Sequence, residues 1–295
     1  SDLFKGQNLY SSLIINQPTA GKLYRFKGKT SQRYMKSNGA GSQMTASANL
    51  DPDNGPATIF MVIKDDDRYK LLSYDLGLYA NGTRSIGSAV NNYSTYSFLK
   101  SEGGNVGYYT IKSNYSSAPY LWSNDSKTDR NRTYEEGNCD WEIEEVPYLP
   151  VPIYNDDYKL GTFYSPVALT QNTTRIKFYT GTVTNNYFNL TQYTGNVIPA
   201  NTAFVTEYVE GGETSNKCAY LAIASDDPDS PGNNQLQGQF ETITTPTITG
   251  KTICTMQEIS SALTFASYTG TTVKGFRAYL PVDNSTTGGG DSSFR

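Results

Sequence analysis

The sequence predicts an all-β protein, on three observations. The first is composition. Hydrophobic residues make up 37% of the chain and charged residues 18%, both low; the balance is Tyr, Thr, Ser, Asn and Gly, with 24 tyrosines. Tyr and Thr fit pleated surfaces, while Gly, Asn, Asp and Ser supply turns. The second is a repeat near 40 residues. Tyr24-Arg25-Phe26, Tyr34 and Phe60-Met61-Val62 are echoed by Tyr69-Lys70-Leu71, Tyr79 and Phe98-Leu99. They are echoed again by Tyr109-Thr110-Ile111, Tyr120 and Trp141-Glu142-Ile143. Three landmarks in matching order define three copies of one strand-rich unit, which cannot bury its apolar face alone but can share a core around an axis. The third is the scarcity of 3.6-residue spacing; 256–263 is the best helix candidate, about two turns long.

Each element follows from local signals. Residues 1–20 read as a lead-in whose apolar patch, Leu13-Ile14-Ile15, suits an edge strand. The repeats occupy 21–146. Each opens with a strand at 23–27, 69–74 or 108–112. A second strand follows at 34–36, 78–80 or 120–122, and then an Asn turn: Asn38-Gly39, Asn81-Gly82 or Asn124-Asp125. Asn and Gly tolerate the positive φ that tight turns require. The alternating strand at Phe60, Phe98 or Trp141 closes each copy, with its aromatic directed inward. Pro147, Pro150 and Pro152 place a stiff linker at 147–152. Residues 153–295 lack the repeat. They read as strands at 167–170, 175–183, 187–193, 203–209, 219–224 and 275–282, with the spacing of a β-sandwich.

Composition and motifs also exclude. The net charge is −4 with no basic stripe, which argues against a nucleic-acid partner. No apolar run reaches the length of a membrane-spanning segment. Histidine is absent, which removes the usual general base and metal ligand, and no hydrolase triad or Gly-x-Ser-x-Gly elbow can form. The three cysteines, Cys139, Cys218 and Cys254, match no zinc spacing. Cys218 and Cys254 could pair in an oxidising compartment, but buried thiols are the favoured reading. The clusters Asp51-Pro52-Asp53-Asn54-Gly55, Asp65-Asp66-Asp67, Asp156-Asp157 and Asp226-Asp227-Pro228-Asp229 have oxygen ligands for calcium, but turn chemistry accounts for them. No cofactor is expected, and no enzyme. The abrupt start at Ser1 reads as that of a mature or trimmed chain, and the end from Gly288-Gly289-Gly290 to Phe294-Arg295 as one cut short or as a frayed tail.

The aromatic-anchored repeats resemble the β-trefoil of ricin-type lectins. Three phrases resemble a variety found in surface and secreted proteins of Bacteroidetes gut bacteria: Gly21-Lys22-Leu23-Tyr24-Arg25-Phe26-Lys27-Gly28, Gly82-Thr83-Arg84-Ser85-Ile86-Gly87 and Cys139-Asp140-Trp141-Glu142-Ile143-Glu144-Glu145-Val146. Tyr164-Ser165-Pro166-Val167-Ala168-Leu169, Phe178-Tyr179-Thr180-Gly181 and Val197-Ile198-Pro199-Ala200-Asn201-Thr202 look like the β-sandwich that often follows in such proteins. Ricin-type lectins close each repeat with Gln-x-Trp. Here Thr58-Ile59-Phe60, Tyr96-Ser97-Phe98 and Cys139-Asp140-Trp141 stand there, so the fold carries over and the sugar-binding polar set does not.

The resemblance implies a non-catalytic protein, secreted or on the outer surface of a Gram-negative bacterium, that binds a glycan or polysaccharide. The alternative is an adhesion module contacting envelope or host proteins. A sugar site needs an aromatic face and polar partners for hydroxyls. The third repeat offers Tyr115, Trp122, Asn124 and Asp125; the second offers Asn81, Arg84 and Tyr93. Trp122 lies two residues past Tyr120, so both share one face of a strand, and if Tyr120 is core then Trp122 packs there too.

Overall fold

A computed structural model describes residues 13–14, 17–48, 50, 55–81, 86–87, 94–152, 160–171, 175–185, 187–209, 218–285 and 293–294. The chain divides into two compact units, residues 6–148 and residues 149–295.

The first unit is a β-trefoil, and the strand pairing shows it. Repeat one comprises β2 (Leu23–Gly28), β3 (Tyr34–Lys36), β4 (Thr45–Ser47) and β5 (Phe60–Asp65), after an edge strand β1 (Leu13–Ile14). Repeat two comprises β6 (Arg68–Ser73), β7 (Tyr79–Ala80), β8 (Ile86–Gly87) and β9 (Tyr96–Lys100); repeat three comprises β10 (Tyr109–Ser113), β11 (Tyr120–Ser123), β12 (Thr128–Asn131) and β13 (Asp140–Glu145). The first and fourth strands of each repeat run β2-β5-β6-β9-β10-β13, and β13 pairs back onto β2, closing a barrel of six strands. The second and third strands form one hairpin per repeat, β3–β4, β7–β8 and β11–β12, each joined to the barrel through its first member. Closure removes the unpaired edges that an open sheet would leave. β1 lies along β13, with Leu13 opposite Glu145, as the apolar patch of the lead-in suggested.

The aromatics that open and close each repeat form the core, whereas Tyr34 and Tyr120 of the second strands are only half-buried. Tyr24, Phe60 and Trp141 are fully buried, Phe98 and Tyr109 nearly so, and Tyr69 packs against the same cluster. Phe26 stacks on Phe98 at 5.9 Å between ring centroids and meets Phe60 edge-on at 6.1 Å. Aromatic pairs in these geometries add about 0.5–1.5 kcal/mol beyond the area they bury. The third strand of each repeat was not anticipated. Thr45–Ser47 and Thr128–Asn131 are short and polar, with no apolar alternation to mark them.

The second unit is also all-β. A four-stranded antiparallel sheet runs Leu160–Tyr164, Ala203–Tyr208, Ile176–Thr184, Tyr187–Gln192, and a five-stranded sheet runs Gln237–Gln239, Arg277–Asp283, Lys251–Ile259, Ala262–Ser267, Ser293–Phe294. Ala203 and Val205 of the first share an apolar cluster with Cys254, Phe265, Ala278, Leu280 and Val282 of the second. Two expectations are corrected here. The stretch 147–152 is not a bare linker: Tyr148–Pro152 is a strand paired with Cys218–Ala222. A sheet of two strands leaves each an outer edge, where proline's missing N–H costs no ladder bond. Residues 256–263 are not helical; they turn from Lys251–Ile259 into Ala262–Ser267, with Ile259 opposite Ala262. Ser260 and Ser261 both take positive φ, 52° and 61°, as a two-residue hairpin loop requires. The three cysteines are buried thiols rather than half-cystines.

Candidate functional site

The β11–β12 hairpin carries the third repeat's surface. Asn124 makes its turn: Oδ1 accepts from the backbone N–H groups of Ser126 and Lys127, both at 3.1 Å. This fixes the register, with Tyr120 opposite Asn131, Leu121 opposite Arg130, and Trp122 opposite Asp129. Side chains opposite one another share a face, and neighbours along a strand alternate. Leu121 and Ser123 are buried at 2% and 1% exposure. Tyr120 and Trp122 therefore point the other way, and both are half-buried. The sequence-based link between these two rings holds, but they lie on the outer face, not in the core.

Trp122 sits in a polar frame. Its indole N–H donates to Glu135 Oε2 at 2.8 Å. Glu135 also accepts from Asn131 Nδ2 at 2.7 Å and Asn138 Nδ2 at 3.3 Å. The Trp122 indole, followed by the Asn138 and Asn131 amides, holds the Glu135 carboxyl below the usual glutamate range. Lys127 reaches over the Trp122 ring at 5.9 Å and pairs with Asp129 at 3.1 Å. Beside them, Tyr120 donates to Glu102 Oε2 at 3.0 Å, meets Tyr134 edge-on at 6.0 Å, and lies beneath the Lys112 ammonium at 4.5 Å. Lys112 also pairs with Glu102. Burial pulls the Lys112 proton affinity down, but the bonds to Glu102 and Tyr120 outweigh it and leave the ammonium above its ordinary range.

The surface rests on an anchored loop. Asp140, fully buried, accepts from Ser101 Oγ at 2.7 Å, Asn105 Nδ2 at 2.9 Å, the Gly137 N–H at 2.9 Å and Tyr134 OH at 3.0 Å. A buried carboxylate with four donors is satisfied and holds its neighbours in place. The loop carrying Glu135 and Asn138 is thereby tied to the barrel strand β13. Trp141 completes the tie, donating Nε1–H to Leu121 O at 3.0 Å across to the hairpin.

The predicted site residues do not all converge. Tyr115 is separated from Trp122. The Arg130 guanidinium covers its ring at 4.1 Å, and Arg130 lies on the Leu121 face of the hairpin. Asn124 is committed to the turn, and Asp125 is exposed at its tip. Asn81 is half-buried after β7. Arg84 and Tyr93 lie outside the described residues. Two residues past the landmark tyrosines stand Lys36, Asn81 and Trp122, so repeat three alone has an aromatic there. Glu135, Asn131 and Asn138 were not anticipated. Counting back from the Asn124 turn pairs Asn131 with Tyr120 and would have flagged it; Glu135 arrives by the loop, with no periodic signal.

Other candidates resolve more simply. Asp66, at φ 52°, and Asp67 form the two-residue loop between Asp65 and Arg68. Asp227 Oδ1 accepts the Ala200 N–H at 2.9 Å. Asp51, Asp53, Asp156 and Asp157 lie outside the described residues. Glu142 and Glu144 share the outer face of β13. Burial, followed by the Glu144 charge, raises the Glu142 carboxyl, and Lys27 stands 3.9 Å away.

No family model matches this sequence, and no curated protein matches it. Several solved structures are similar. A β-trefoil named BEL is 14% identical, with a TM-score of 0.39, over 45% of this chain and 100% of that one. SeviL, bound to the asialo-GM1 saccharide, is 12% identical, with a TM-score of 0.35, over 41% of this chain and 95% of that one. A GH43 β-1,3-galactosidase is 17% identical, with a TM-score of 0.38, over 46% of this chain and only 30% of the galactosidase. These are partial likenesses of shape; the β-trefoil assignment rests on the strand pairing above.

Proposed function

We propose that this protein is a non-catalytic glycan-binding protein whose third trefoil repeat holds the sugar against Trp122. The observation that carries the reading is the outward, half-buried indole on β11, bordered by Glu135, Asn131, Asn138 and Asp129. An aromatic face suits the apolar side of a pyranose, and carboxylates and amides suit its hydroxyls. Catalysis is not part of the proposal. Glu142 and Glu144 stand side by side on one strand, whereas glycoside hydrolysis needs two carboxyls across a sugar. On the strength of the family resemblance, we place the protein outside the cell or on its outer surface, with the second unit as a β-sandwich spacer.

A glycan array probed with the labelled chain and with Trp122→Ala tests this. The expected result is a defined set of glycans bound by the native chain, with at least tenfold loss in the variant, about 1.4 kcal/mol. An array left silent by the folded native chain would move the assignment to adhesion through protein contacts, and binding of uncharged glycans indifferent to Trp122 would remove the sugar site from the third repeat.

A further inference from the structure

We propose that the second unit carries a separate binding site for a carboxylate-bearing sugar, centred on Arg277. The proposal does not depend on the trefoil reading. The site is a groove of about 420 Å³, within the size range of small-molecule pockets. Among the described residues, its lining includes two cations, Arg277 and Lys274, and no acidic residue.

Arg277 is the unusual member. It is half-buried on the strand Arg277–Asp283. Among the described residues its guanidinium joins no ion pair, and its one side-chain hydrogen bond is from Nη1 to the neighbouring Phe276 carbonyl at 3.4 Å. A guanidinium carries five N–H donors in a flat fork, and the fork matches the two oxygens of a carboxylate. A partly desolvated fork with a single long bond gains most from such a partner.

The rest of the lining sets the ligand class. Thr162 and Thr255 bring hydroxyls. Gln257 commits its amide nitrogen to the carbonyls of Ala266 at 2.9 Å and Ser267 at 3.3 Å, which leaves its oxygen to accept from a ligand hydroxyl. Met256 and the Tyr268 ring supply apolar wall, and the Tyr268 hydroxyl is held by Thr272 O at 2.7 Å. One half-buried fork, hydroxyl partners and an apolar wall fit a uronic acid: a carboxylate on a ring with several hydroxyls. The apolar wall and hydroxyls would add little for a bare inorganic anion.

The test is NMR titration of the full chain with galacturonate, galactose and galactose 6-sulfate, following the Arg277 Nε–H resonance. Galacturonate is expected to shift that resonance saturably and to bind at least tenfold more tightly than galactose. Arg277→Gln should remove the preference, while Trp122→Ala leaves it intact. The proposal is overturned by equal affinity for galacturonate and galactose, by tighter binding of the sulfate, by a preference that survives Arg277→Gln, or by a silent Arg277 resonance. The resonance is read on the native chain, so the test stands even where a variant fails to fold.

Discussion

Trp122 and Glu135 form the smallest unit of the proposed site, and acid should separate them. The indole and two amides depress the Glu135 carboxyl, so its folded-state pKa lies below the unfolded value of about 4.3. The bonds to ionised Glu135 are therefore present above that value and are lost as pH falls through the folded one. The chain has two tryptophans, and Trp141 is fully buried, so a change confined to the half-buried Trp122 indole reports this pair. Emission should hold steady from about pH 8 to about pH 5 and shift below about pH 4. Glu135→Gln should abolish that step while leaving any acid unfolding in place. A step that persists in the variant would detach Glu135 from the indole. The same scale shows why the site was only half legible in sequence. Trp122 and its face followed from alternation with Tyr120, whereas Tyr115, close in sequence, is drawn beneath Arg130 on the other side of the hairpin. Glu135 and Asn138 reach the site through the loop anchored by Asp140, a contact no strand period encodes.

At the scale of elements, the hairpin β11–β12 depends on the barrel beneath it. Trp141 on β13 packs in the core and donates to the Leu121 carbonyl, while Ser123 N–H donates to Asn138 O at 2.9 Å. Trp141→Phe keeps an aromatic in the core but leaves a buried carbonyl without its donor, at a cost of about 1–3 kcal/mol. Chemical denaturation should show that loss, and glycan affinity should weaken with it because the hairpin loses a fixed point. Unchanged stability would mean that the hairpin holds its place without this bond. The elements that sequence reading recovered are those with strong side-chain signals. The barrel strands carry buried aromatics at a fixed interval, and the edge strand β1 an apolar patch. The error at 256–263 has a physical source. Met256, Ile259 and Leu263 mimic helical spacing, and a Ser-Ser loop lacks the Gly or Asn that usually marks two residues of positive φ. The short polar strands of the trefoil hairpins are held by backbone pairing and by barrel contacts, which leave little trace in composition.

For the whole molecule, two features follow from the packing. The first concerns the thiols. Burial pushes Cys139 and Cys254 up to about 11, and Cys218 is buried as well. A thiol reagent at pH 8 should label the native chain slowly and find three thiols per chain in denaturant; one thiol would mean that Cys218 and Cys254 pair. The second is the broken symmetry of the trefoil. Its barrel repeats the same architecture three times, yet Lys36, Asn81 and Trp122 stand at matching places, so at this position the third repeat alone has an aromatic, the proposed platform. The core constrains only inward residues, which leaves the outer faces of the repeats to diverge. The most direct test of that platform is a titration of the tryptophan emission with a glycan identified on the array, read for both amplitude and stoichiometry. One glycan without a carboxylate should bind per chain, with a saturable emission change that disappears in Trp122→Phe. Binding that leaves the emission unchanged, or three equivalent glycans per chain, would contradict a single sugar site on Trp122.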